Sequence, residues 1–161
     1  MGRMVSMNKN KLNLELIIFY TAVLIGGFGG GYAMLRCGIF ASSQTMNFIT
    51  ILVNIMGNSF EDLLIRIAIV ILYGLAIALA VLIPRYTKLE NKIVSVYINI
   101  IAAIIMAVAP ADYVGIPVLL PMFFAMAFQW GSYKGAMGYV STCIFSTNNF
   151  RMTVEGIVNS F

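Results

Sequence analysis

The side chains of this chain that could do chemistry are mostly amides. Gln44, Asn47, Asn54 and Asn58 follow one another at spacings of 3, 7 and 4, which lines them up on one stripe if Thr45 to Ser59 is helical. Gln129 lies in a later apolar stretch, and Thr147 and Asn149 repeat the Thr-x-Asn order of Thr45 and Asn47. Inside a bilayer such groups must find partners, water or a solute, because an unsatisfied polar group in hydrocarbon costs several kcal/mol. The stripe therefore reads as a polar pathway or binding face, or as helix-to-helix hydrogen bonding worth about 0.6 kcal/mol a bond. Arg151 and Glu155, at i and i+4, would face each other on a helix. They read equally as an intramembrane functional pair or as a solvated pair at the interface.

Catalysis finds little to stand on. The chain has no His, no serine elbow motif and no pair of carboxylates within one apolar run, so acid–base or metal chemistry would fall to Glu61, Asp62 and Asp112. These sit at the ends of apolar runs and read as interfacial charges. Cys37 and Cys143 have no partners to complete a metal site and read as small apolar side chains. No catalytic residue, metal site or cofactor is expected, and the chain does not read as an enzyme. The run GGFGGG does not fit a phosphate loop. Its pairs Gly26 to Gly30 and Gly27 to Gly31, with Gly131 to Gly135, suit close helix packing. Pro117 and Pro121 suggest a kinked element.

The elements that must carry these groups are membrane spans. Of 161 residues 61% are hydrophobic and 10% charged, with a mean hydropathy of +0.93. A soluble domain carries about 25% charge. The net charge of +4 is scattered, so it signals topology and gives no footprint for nucleic acid. The N-terminal apolar run is too long for a signal peptide's core and reads as an uncleaved first span. Four charge-free runs are long enough to cross: Leu16 to Leu35, Ile67 to Pro84, Ile93 to Ala111 and Tyr113 to Tyr133. Cys37 to Phe60 is charge-free but polar, and the stretch from Gly135 onward is interrupted by Arg151 and Glu155.

Charge bias bears on whether Cys37 to Phe60 crosses. If it does not, Arg3, Lys9, Lys11, Arg85, Lys88, Lys92, Lys134 and Arg151 share the cytoplasmic side and only Arg36 and Arg66 lie outside. If it does, the bias vanishes. A re-entrant or half-inserted segment is the expectation; the alternative is an ordinary span with a polar face.

The stretches QTMNFITILVNIMGNSF and STNNFRMTVEGIVNSF superpose with Thr45 on Thr147, Asn47 on Asn149 and Phe48 on Phe150, an offset of 102 residues. The same offset lays Leu16 to Leu35 over Val118 to Met137, with Gly29 on Gly131. With the re-entrant topology the two copies are inverted, a recurring plan among transporters. The alternative is chance likeness between apolar helices followed by polar turns. The overlay puts the counterpart of Ile67 to Pro84 near position 169, past Phe161. The expectation is thus a truncated coding sequence or a separate chain that completes the second half.

The succession GGFGGGYAML, IFASSQTMNFI and AMAFQWGSYKGAMGYVSTCIFSTNNF resembles the YoaK-like family of bacterial integral membrane proteins, a domain of unknown function, over about Ile17 to Met152. Gly27 and Phe28 match its first element, with Gly30 where the family's Asp stands. Gln44, Thr45 and Asn47 match the second, with Met46 for Gly. Gln129 matches the third, with Trp130 for Asn, and Thr147 the fourth, with Asn148 for Gly. The resemblance implies a multi-spanning membrane protein and supplies no reaction or substrate.

The expected protein is all-α, a polytopic helical membrane protein with four clear transmembrane helices, two polar elements read as re-entrant, and an inverted repeat. It forms one transmembrane domain over 1–161: a cytoplasmic segment at 1–15, one repeat half at about 16–92 and an incomplete second half at about 113–161. It is expected in the bacterial inner membrane, multi-pass, with the N-terminus cytoplasmic. Its partners are the lipid bilayer and an unknown small solute, with no nucleic acid, and a homo-oligomer or a completing chain. The leading function is a small-solute transporter or channel-like permease with a binding site made of Gln44, Thr45, Asn47, Gln129, Thr147 and Asn149. The alternative is a structural or assembly subunit, or an inactive fragment. A permease should line a hydrated cavity with Gln44, Asn47, Gln129 and Asn149; a packing subunit should bond them in a dry interior.

Overall fold

A computed structural model describes residues 9–39, 43–57, 59–109, 115–136, 139–140, 142–144, 151 and 154–158. Among them α1 spans Lys9–Cys37, α2 Gln44–Ile55, α3 Phe60–Tyr86, α4 Asn91–Val108 and α5 Leu120–Ser132. A 3-10 turn, Ile116–Leu119, leads into α5, and a short antiparallel pair, β1 (Gly135–Ala136) and β2 (Tyr139–Val140), follows it. α1, α3 and α4 are long and apolar enough to cross a membrane, and the protein is an all-α polytopic membrane protein.

The fourth expected span is shorter than the run Tyr113 to Tyr133. Its helical part is Ile116–Ser132, with Tyr113 and Val114 outside the described residues. Pro117 and Pro121 lie in the opening turns of the 3-10 element and of α5. There a proline's missing N–H leaves no helical bond broken. They start elements rather than kink one. The overlay carries the helix on to Met137, but α5 stops at Ser132, and Gly135 at φ +125° opens the β pair.

α5 is the centre of the bundle. Phe123, Ala125, Met126, Ala127, Phe128 and Gln129 are all buried, as befits a helix covered on every side. The outer helices bury only narrow stripes and leave residues such as Leu24 and Phe28 bare. Ala33, Ile69 and Met106 meet Leu119 and Phe123 at one end of α5. Tyr73, Ala76 and Ala80 of α3 follow along to Ala127 and Phe128. At the other end Phe19 and Ala22 of α1 pack with Tyr133, and the Tyr133 hydroxyl lies 3.3 Å from the Lys92 carbonyl that accepts its proton.

Those pairings fix directions. Rising residue numbers in α3 follow rising numbers in α5, whereas in α1 and α4 they follow falling ones. α1 and α3 are therefore antiparallel, and the end of α1 and the start of α3 lie at the same end of the bundle. α2, which joins them, begins and finishes there. Its 12 residues reach about 18 Å, against about 30 Å of hydrocarbon. It is shorter than a crossing helix and packs on α3.

The glycine pairs divide. A Cβ on Gly26 would stand 2.6 Å from the Cys143 carbonyl oxygen, and one on Gly131 2.7 Å from the Ala80 Cβ. Gly27, Gly30 and Gly31 face nothing within 4 Å.

Candidate functional site

Among the described residues the buried polar side chains, Asn47, Asn54, Ser95 and Gln129, gather in two groups. The first lies where α2 meets α3. Of the amide stripe, Asn47 and Asn54 are buried, while Asn58 lies outside the described residues. Arg66 of α3 donates from Nη1 to Asn47 Oδ1 at 3.2 Å. Asn47 in turn donates from Nδ2 to Gln44 Oε1 at 3.4 Å. Three donors here are buried without an acceptor: Gln44 Nε2, Arg66 Nε and Asn54 Nδ2.

Arg66 ends the apolar run Ile67 to Pro84, a position from which arginine ordinarily snorkels to water. Its guanidinium turns to the Asn47 amide instead. Asp62 lies one helical turn earlier, yet among the described residues no carboxylate oxygen lies within 4.0 Å of Arg66. The group is thus rich in donors and positive. Thr45 is exposed, and Ser43, at the N-cap of α2, makes no side-chain capping bond.

The second group ties α1, α4 and α5 together through Gln129, which is 1% exposed. Its Nε2 donates to the Ala22 carbonyl at 2.6 Å and lies 3.7 Å from Cys143 Sγ. Its Oε1 accepts from Asn99 Nδ2 at 2.9 Å. Asn99 Nδ2 also reaches the Ser95 carbonyl at 2.8 Å. With no Cβ, Gly26 lets the Cys143 backbone close over this junction. Between α1 and α4, above α5, lies a cavity of about 260 Å³ walled by small residues such as Gly29, Ala102 and Ala103, with Asn99 on its edge.

The described residues among those expected to share one site fall in different places. Gln44 and Asn47 join Arg66, Gln129 joins Asn99, and no described hydrogen bond links the two groups. Thr147 and Asn149 lie outside the described residues. Both Gln129 and Asn47 are bonded within the protein, the geometry expected of amides that hold helices together. Arg151 and Glu155 approach to 3.7 Å with both side chains exposed, 69% and 58%. A solvated pair of that kind is worth little.

Sequence reasoning missed Arg66 and Asn99. Arg66 counted only as the charge that ends a run. Asn99 carried a usable signal: it follows Ser95 by four residues inside the run Ile93 to Ala111, the spacing of two polar groups on one helix face.

The profile of a family described as "Protein of unknown function (DUF1275)" matches residues 18–161. No curated protein matches the chain, nor does any solved structure.

Proposed function

Because this chain belongs to the DUF1275 family of proteins of unknown function, we propose for it a role the family leaves open: a small-solute transporter or channel-like permease of a bacterial inner membrane. The observation that carries this reading is Arg66. A guanidinium at the edge of a span, held by a buried amide and with no carboxylate within 4.0 Å among the described residues, is a functional candidate by default. With Gln44 Nε2 and Arg66 Nε unsatisfied, the α2–α3 group fits a solute that brings hydrogen-bond acceptors or negative charge.

In this reading α2 is half-inserted and offers such a solute a polar element at bilayer depth, the arrangement transporters use for binding sites. The antiparallel α1 and α3 support a cytoplasmic N-terminus. Lys9, Lys11, Arg85, Lys88, Lys92 and Lys134 fall at one end and Arg36 and Arg66 at the other. That α5 runs against α1, its partner in the overlay, supports the inverted repeat. The order of Gly27-Phe28, Gln44-Thr45, Gln129 and Thr147 supports a place among YoaK-like members. In this reading the chain moves a solute unchanged and performs no catalysis.

Proteoliposomes tested with chloride, nitrate, formate and acetate should pass at least one of them faster than protein-free vesicles. Arg66→Gln should cut that flux at least tenfold with insertion intact. Protein-free rates for all four anions, unchanged in the variant, would overturn the permease. A second reading, a packing or assembly subunit, is favoured by Gln129, whose amide is spent on Ala22 and Asn99 in a dry interior.

A further inference from the structure

The cleft between α1 and α4 is a separate feature from the Arg66 group, and its chemistry differs. α1 and α4 both lean on α5 without closing on each other. Ala102, Ala103, Ala107 and Ala125 line the cleft with small side chains. The cavity of about 260 Å³ continues into a shallower groove of about 880 Å³, and Ile25, Phe28, Asn99 and Ala103 line both. An apolar cavity of about 150 Å³ already accepts benzene. Among the described residues no Lys, Arg, Asp or Glu lines the walls.

Two polar side chains border the cavity, Tyr32 and Asn99. The Tyr32 hydroxyl accepts from Arg36 Nη1 at 2.9 Å. Asn99 differs. Its Nδ2 is turned inward to Ser95 and Gln129, which holds the amide in one orientation. Its Oδ1 accepts no hydrogen bond among the described residues, and it is not among the buried unsatisfied atoms. An acceptor held rigidly at the edge of an otherwise apolar slot selects a ligand with one donor and an apolar body.

We propose that the α1–α4 cleft binds a small, uncharged, membrane-soluble amphiphile whose single hydroxyl or amide N–H donates to Asn99 Oδ1. The apolar body lies along Phe28 and Met106, entering from the bilayer. No charged side chain among the described residues lines it, so an ionised headgroup would be desolvated there without a partner.

Photolabelling of the full chain in phosphatidylcholine nanodiscs tests this with three probes of equal length: a diazirine-bearing eight-carbon alcohol, its methyl ether and the matching carboxylic acid. The alcohol should label peptides containing Phe28 and Met106, and the ether and the ionised acid about fivefold less, the weight of one neutral hydrogen bond. Asn99→Leu should bring the alcohol down to the ether's level. Because Asn99 also supports Gln129, Ala103→Phe gives a second variant, which fills the slot from an exposed position and should suppress labelling by the alcohol. Equal labelling by alcohol and ether would mean that ordinary acyl chains fill the cleft, and would overturn the proposal. So would stronger labelling by the acid, or no labelling of these peptides by any probe, as when a second copy's helix occupies the slot.

Discussion

The side-chain amide of Asn91, at the start of α4, donates through Nδ2 to the backbone carbonyl of Ala80 in α3. In a regular helix that carbonyl would accept from the N–H of residue 84. Residue 84 is a proline inside the last turns of α3, so the acceptor is vacant and α4 supplies the missing donor. The proline and the asparagine act as one device that closes the α3–α4 corner.

Asn91→Leu should therefore destabilise the protein by about 1–3 kcal/mol, the range for a buried group left unpaired. Pro84→Ala, which restores an N–H, should recover part of that loss when combined with it. Reversible unfolding in mixed micelles, run as a double-mutant cycle, checks this. Strict additivity of the two changes would sever the link.

The placement of α2 decides which loops share a side. In a background of Cys37→Ser and Cys143→Ala, Gly38→Cys and Met56→Cys, which flank α2, should react with an impermeant maleimide from the same face of oriented vesicles. Reaction from opposite faces would mean that α2 crosses.

The two kinds of glycine should behave differently. Gly26→Ala and Gly131→Ala force atoms within 3 Å of a carbonyl oxygen and an Ala80 methyl. Each should cost about 1–3 kcal/mol through overpacking. Gly27→Ala and Gly31→Ala meet open space and should gain up to about 1 kcal/mol from helix propensity. Thermal unfolding in one detergent separates the pairs; equal effects in all four would contradict the packing.

Gln129→Leu leaves the Asn99 amide short of an acceptor and should cost about 1–3 kcal/mol. Gln129→Glu should cost more at neutral pH, since an ionised carboxylate cannot donate to the Ala22 carbonyl and would be buried without a cation beside it. A glutamate variant as stable as the wild type would show that the Gln129 to Ala22 bond contributes nothing.

The spans were legible because hydrocarbon imposes length and charge rules on each segment separately. Leu16 to Leu35 and Ile67 to Pro84 could be marked without knowing what they touch. For Cys37 to Phe60 the same rules, through the side on which Arg85, Lys88 and Lys92 would lie, favoured a half-inserted segment over a span, and α2 is shorter than a crossing helix. The sites were less legible because an amide's role depends on its neighbour. Gln129 stood out by type, but its partner Asn99 lies 30 positions away and on a helix read as plain. Asn47 and Thr45 looked equivalent in sequence, and two residues of helix rotation bury one against Arg66 and expose the other.

The bond from Gln129 to the Ala22 carbonyl spans 107 positions, and α5 with the strand after it forms the main surface against which α1 packs. Synthesis proceeds at about 5–20 residues per second, so α1 enters the bilayer roughly 5–20 s before that surface exists. For that interval the first helix is solvated by lipid and by whatever escorts nascent spans. A backbone stripe of glycines, which adheres readily to other helices, is bare throughout. Its partner α5 is made only after α2, α3 and α4.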